Sequence, residues 1–157
     1  MTVTARRATP ADIPDIAALY SELAVEMDAL KPIWSVAEGL AVPVDDSLQA
    51  ALDDPDAHLY VGEIDGVPVG FLMARDEALL PHAGGRRVAA VRLIFTLEGA
   101  RGVGVGEAMI SLFLEEALAR GLRDFDAHVS PGHRLSKNFF ESNGFKARSI
   151  VMHRSDG

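Results

Sequence analysis

A chain of 157 residues, 48% apolar and 24% charged, has the size and composition of a single globular domain, expected to span residues 1–157. It has no cysteine, which excludes a disulfide framework, a thiolate metal site and a cysteine nucleophile. Its net charge of −8 disfavours a nucleic-acid backbone as partner. No apolar run reaches membrane-span length, and "MTVTARRATPADI" lacks the apolar centre of a secretory signal. The expectation is a cytoplasmic protein with neither a nucleic acid nor a membrane as partner.

Residues 3–8, "VTARRA", read as a short strand. "TPADIPDIAALYSELAVEMDAL" reads as a helix, with Thr9 and Asp12 as a capping pair and Ile16, Leu19, Tyr20, Leu23, Met27 and Leu30 as its apolar stripe. Residues 31–46 look irregular and hold the only tryptophan, Trp34. "SLQAALD" (47–53) fits a short helix that Asp54-Pro55 ends. In "HLYVGEIDGVPVGFLMAR", two β-rich runs flank Asp65-Gly66, a strong hairpin signal. Residues 76–86 read as a loop, and "RVAAVRLIFTL" (87–97) as a strand buried on both faces.

Four glycines then fall within residues 99–106, directly before the amphipathic pattern "GEAMISLFLEEALARG", whose apolar positions are Ile110, Phe113, Leu114, Ala117 and Leu118. "RDFDAHVS" alternates, with Phe125, Ala127 and Val129 on one face and Asp126, His128 and Ser130 on the other. "SPGHRLSKNFFESNGF" gives a turn and a helix stopped at Asn143-Gly144, and "KARSIVMHR" reads as a last strand. Strand, glycine turn and helix followed by a strand implies a parallel crossover, while the hairpin implies antiparallel pairing. A mixed sheet flanked by helices follows.

Such a glycine turn entering a helix can bind an anion. The first amides of a helix lack intrahelical partners and carry partial positive charge. Gly102, Gly104 and Gly106 allow close backbone approach, and Arg101 offers a guanidinium for phosphate oxygens. A tight structural turn is the competing explanation. A P-loop would need Gly-Lys-Ser/Thr, and no lysine follows. A dinucleotide fingerprint would need G-x-G-x-x-G near the first strand, with an acidic residue about 20 residues later; here the pattern is G-x-G-x-G, late in the chain.

"RGVGVGEAMI" resembles the Arg/Gln-x-x-Gly-x-Gly/Ala signature of the GNAT superfamily of acyl-CoA-dependent N-acyltransferases. "AAVRLIFTLEGA" is similar to that family's central strand, and "PGHRLSKNFFESNGF" to its Asn-x-x-Ala-x-x-Phe-Tyr-Glu-x-x-Gly-Phe motif. "VGEIDGVPVGFLMA" resembles its β2–β3 hairpin. The resemblance spans essentially the whole chain, in the right order. It implies an α/β (α+β) fold: a mixed, mostly antiparallel sheet of six to seven strands, about four flanking helices, and a splayed parallel strand pair at the cofactor site.

The resemblance further implies acetyl-CoA as co-substrate, no metal, and a primary amine of a small molecule or peptide as acceptor; it also allows a homodimer. Diphosphate contacts fall on Arg101, Gly102, Val103, Gly104, Val105, Gly106 and Glu107, with the Glu107 carboxylate expected to point away. Pantetheine contacts fall on Phe95, Thr96 and Leu97, and the amide near Leu97 becomes a candidate oxyanion donor. His133 stands where Asn is common and can contact pantetheine or act as acid or base; Ser136 stands for Ala. Asn138 can reach the cofactor. Phe140 stands for the Tyr that usually protonates the leaving thiolate, so another group serves or the thiolate leaves unaided, as its pKa of roughly 8–9 permits.

For the general base, Glu98, just after the central strand, ranks ahead of His128. His82 reads as incidental. The resemblance implies an acceptor pocket formed by residues 27–40 and 76–86. Trp34 would stack on the acceptor, and Glu77, with Asp28 and Glu38, would attract an amine; core packing is the bland alternative for Trp34. The Phe140 substitution and the lack of an obvious base motivate an alternative, a non-catalytic acyl-CoA-binding or regulatory module. A different nucleotide-binding protein that mimics the loop is a third reading.

Overall fold

Asp65 and Gly66 stand at φ of 51° and 80°, as a tight hairpin turn requires. They join β2 (Ala57–Ile64) to β3 (Val67–Ala78). The computed structural model describes residues 1–30, 33–129 and 134–157. β1 (Val3–Arg7), β4 (Arg87–Thr96) and β5 (Asp124–Ala127) complete a sheet ordered β1-β2-β3-β4-β5. The first three pairings are antiparallel and β4–β5 is parallel. The sheet has five strands among the described residues, not the expected six to seven. "KARSIVMHR" carries no strand, and Ile150, Val151 and Met152 are exposed. Residues 76–78, expected in a loop, extend β3 because Arg87, Val88 and Ala89 pair with them.

One irregularity in β4 sets up the site. Met73 pairs with Leu93 and Ala74 with Val91, so Arg92 is an extra residue, a β-bulge. Its effect shows in the packing. Ala89 and Val91 face one apolar layer, while Leu93 and Phe95 face the other; a regular strand would put all four on one face. β5 pairs with β4 only as far as Val91, whose carbonyl accepts from the His128 amide at 3.0 Å. Beyond the bulge, β4 has no β5 partner among the described residues. This is the expected splay.

Among the described residues, five helices cover the sheet. α1 (Ile13–Leu30), α2 (Trp34–Ala37) and α3 (Val44–Asp53) pack on the layer holding Leu93 and Phe95. α2 falls in the stretch that looked irregular; Leu30 and Leu118, read as apolar-stripe residues, are 47% and 45% exposed. α4 (Val105–Ala119) buries Val105, Met109, Ile110, Phe113 and Ala117 on the opposite layer, joined by α5 (Arg134–Ser142) through Phe140. The 3-10 turn before α1 carries the expected pair: the Thr9 amide donates to Asp12 at 2.8 Å.

Candidate functional site

The glycine turn sits where β4 hands over to α4. Gly102 and Gly104 have φ of 84° and 98°, a region that side chains disfavour. Nothing lies within 4 Å of where a Cβ would sit on either, so their backbone borders open space. Gly106 is different. A Cβ there would lie 3.0 Å from the Phe139 ring, so this glycine serves the α4–α5 packing. The Ala108 amide closes onto the Gly104 carbonyl at 3.0 Å. The amides of Val105, Gly106 and Glu107 therefore precede the first α-helical bond and are available to an anion.

The loop opens onto a cleft of ≈ 240 Å³ whose walls come from β4 (Ile94, Phe95, Thr96), the loop itself, Glu26 of α1, and Leu135, Ser136 and Phe139 of α5. Glu107 lines it too and is exposed. Val103 is exposed outside that lining. The Val105 side chain is buried at 2% exposure, leaving only its backbone to the cleft.

Strand parity decides which β4 amides a ligand could reach. The Leu97 amide donates to the Val69 carbonyl at 2.9 Å. It is therefore already committed to β3, which corrects its expected place as an oxyanion donor. Backbone groups alternate in direction along a strand, so Ile94 and Thr96 direct theirs to the open side. The Thr96 carbonyl there accepts from Arg101 Nε at 2.8 Å.

A second, smaller hollow of ≈ 40 Å³ adjoins the cleft through Ile94 and Ser136. Leu23, Met27, Trp34, Arg92, Leu93, His128, Val129 and Phe140 also line it. Trp34 is both core and wall, 5% exposed with its ring 6.2 Å from that of Tyr20. Glu77 is absent from the wall, its carboxylate held by Arg92, which weakens its expected attraction for an amine. His128 titrates below the usual imidazole range, first through partial desolvation and then through the Arg92 charge.

Other expected residues are scattered. Glu98 opens a 3-10 turn, exposed and outside both hollows. Asn138 is exposed on α5 and does not line the cleft. Phe140 is 3% exposed, packed edge-on against Phe139 and Phe145, and meets the smaller hollow rather than the cleft. His133 lies outside the described residues. Sequence reasoning missed Glu26, Ile94, Leu135 and Phe139; the spacing of Leu135 and Phe139 on one helical face was an available signal. Among the described residues, no group of three His, Asp or Glu converges to hold a metal ion.

Several known proteins resemble this chain in sequence or in fold. An uncharacterized N-acetyltransferase of Methanocaldococcus jannaschii is 33% identical over 92 residues, which is 59% of this chain and 40% of that protein. The chain thus matches less than half the length of that curated relative. A transcriptional regulator from Bacillus halodurans superposes with a TM-score of 0.78 at 23% identity, covering 98% of this chain and 100% of that one. AAC(6')-Iy, solved with the bisubstrate analogue CoA-S-monomethyl-acetylneamine, superposes with a TM-score of 0.73 at 18% identity, covering all of both chains. At such identities the two structures establish the fold alone. The family model described as "Acetyltransferase (GNAT) family" matches residues 18–145. Glycine turn, splayed strands and family match agree: the chain belongs to the acetyltransferase (GNAT) family.

Proposed function

We propose that the chain transfers an acetyl group from acetyl-CoA to a primary amine of a small molecule or peptide. One observation carries this reading. Two sets of backbone donors, at the α4 N-terminus and on the outer edge of β4, border a cleft that adjoins a smaller hollow through Ile94 and Ser136. The open space over Gly102 and Gly104 fits a diphosphate, and the edge at Ile94 and the Thr96 amide, which has no strand partner among the described residues, fits an amide-bearing arm lying as an added strand. The bisubstrate complex of AAC(6')-Iy supports the same use of this fold.

Bound acetyl-CoA supplies an acyl group activated as a thioester. The chain contributes orientation and proton handling. Loop amides fix one end of the ligand, and the Ile94 and Thr96 edge aims the other at the smaller hollow. His128 lines that hollow, where desolvation lowers its pKa and favours the neutral imidazole, and it is the described group best placed to take a proton from an ammonium. The base roles read for Glu98 and His133 rest on the sequence alone. Phe140 offers no proton, and a thiolate of pKa roughly 8–9 departs without one.

Thiol release from acetyl-CoA over a panel of primary amines, with an aminoglycoside and a peptide amine included, tests the reading. Turnover is expected with at least one. Gly104→Asp, which sets a carboxylate on the loop, is expected to abolish acetyl-CoA binding; unchanged affinity would refute the loop assignment. Stabilisation by NAD or ATP alone, with none by acetyl-CoA, would favour the nucleotide-binding alternative. A regulatory module is the second reading, favoured by Phe140 in place of a proton donor. Tight acetyl-CoA binding without turnover on any amine would select it.

A further inference from the structure

Arg101 is the cation nearest the glycine turn in sequence, yet its guanidinium is engaged elsewhere. Nε donates to the Thr96 carbonyl at 2.8 Å, and Nη1 and Nη2 donate to the two carboxylate oxygens of Glu26 at 3.2 and 3.3 Å. The guanidinium carbon lies 5.4 Å from the Phe95 ring centroid. Glu26 belongs to α1, so the ion pair ties the helix on one face of the sheet to the loop that opens α4. Both side chains line the cleft, 30% and 32% exposed. The charged side chains of the cleft wall are Glu26, Glu107 and Arg101, two negative and one positive. An anion arriving at the loop amides meets a carboxylate that already neutralises the only cation of the described wall.

Resting on the proposed reading of this cleft as a diphosphate site, we propose that Glu26 is a positioning residue that competes with the diphosphate for Arg101 and so sets cofactor affinity. The Nε bond to Thr96 acts as a pivot. It keeps the guanidinium beside the loop while the two Nη groups exchange a carboxylate for phosphate oxygens, acceptors that suit the same planar fork. Arg101 contributes to binding only the difference between its two partners. A cofactor fragment without a diphosphate has nothing to exchange and leaves the Glu26 pair intact.

The test is equilibrium titration with coenzyme A and with pantetheine, which shares the arm and lacks the diphosphate. Glu26→Gln keeps the shape and removes the charge. It is expected to tighten coenzyme A by about three- to fivefold, the scale of a partly exposed ion pair, and to leave pantetheine unchanged. Glu26→Asp, which keeps the charge, should restore affinity toward the wild-type value. In an Arg101→Gln background the gain from Glu26→Gln should fall below about twofold, because the effect acts through the guanidinium. Unchanged or weaker coenzyme A binding in Glu26→Gln overturns the proposal. So does an equal gain for pantetheine, or a full gain without Arg101. If wild type does not bind coenzyme A, or Gly104→Asp binds it equally well, the diphosphate reading itself fails. If Gly104→Asp loses binding while Glu26→Gln changes nothing, only the role of Glu26 fails.

Discussion

Asp12 is 6% exposed and accepts from both terminal nitrogens of Arg6, at 2.7 and 2.8 Å, and from the Thr9 amide. The Arg6 bonds hold its carboxyl at about 2, against an ordinary 3.8. A folded-state pKa below the unfolded value stabilises the fold above pH 3.8 and loses that contribution as pH falls toward 2. Asp12→Asn should therefore cost about 1–3 kcal/mol by chemical denaturation at pH 7, with little effect at pH 2. The Thr9–Asp12 pair was legible because capping is a local pattern three residues long. The larger partner, Arg6, was not, since it arrives from a strand. Leu97 teaches the same lesson at the site. The family resemblance alone suggested its amide as an oxyanion donor; its direction depends on the bulge at Arg92, and a bulge is set by the partner strand.

At the level of elements, Gly62 shows how β2 seats α4. A Cβ there would lie 2.6 Å from Val105 Cγ1 and 3.0 Å from Met109 Sδ. Gly62→Ala should destabilise the fold by about 1–3 kcal/mol in urea denaturation, and Val105→Ala should recover part of that cost. Because Val105 opens α4, the same substitution shifts the glycine turn and should weaken acetyl-CoA binding. Elements with strong local signals were legible: the Asp65-Gly66 hairpin, the apolar run of β4, and the glycine turn into α4. α2 was not, because four residues cannot display a helical period. "KARSIVMHR" has strand-forming residues, but a strand exists only when another edge accepts it, and composition does not report that.

Across the whole molecule, a polar network joins β1, β2, β3 and the end of α4 on the sheet. His58, 4% exposed, has Nδ1 3.1 Å from Arg7 and Nε2 3.2 Å from Asp76, which also accepts two bonds from Arg120. Arg7 further pairs with Glu116, to which the Tyr60 hydroxyl donates. Burial first, and then the Arg120 charge, lower the His58 pKa below 6.5. The unfolded chain therefore binds more protons below that pH. Stability should hold above pH 6.5 and fall below it, by at most about 1.4 kcal/mol per pH unit for each such group. His58→Gln should flatten the fall, as thermal or urea unfolding between pH 8 and 5 would show; an unaltered slope would assign it to other groups, such as His128. The order of elements and the mixed sheet were legible at this scale, because each strand and helix carried its own pattern. The strand count was not, since it depends on pairing at an edge. That edge has one further consequence. β5 is stitched to its neighbour over only four residues and ends beside the bulge, so this seam is expected to open more readily than the longer β2–β3 and β3–β4 ladders, and hydrogen exchange should be faster at Asp124–Ala127 than in β3.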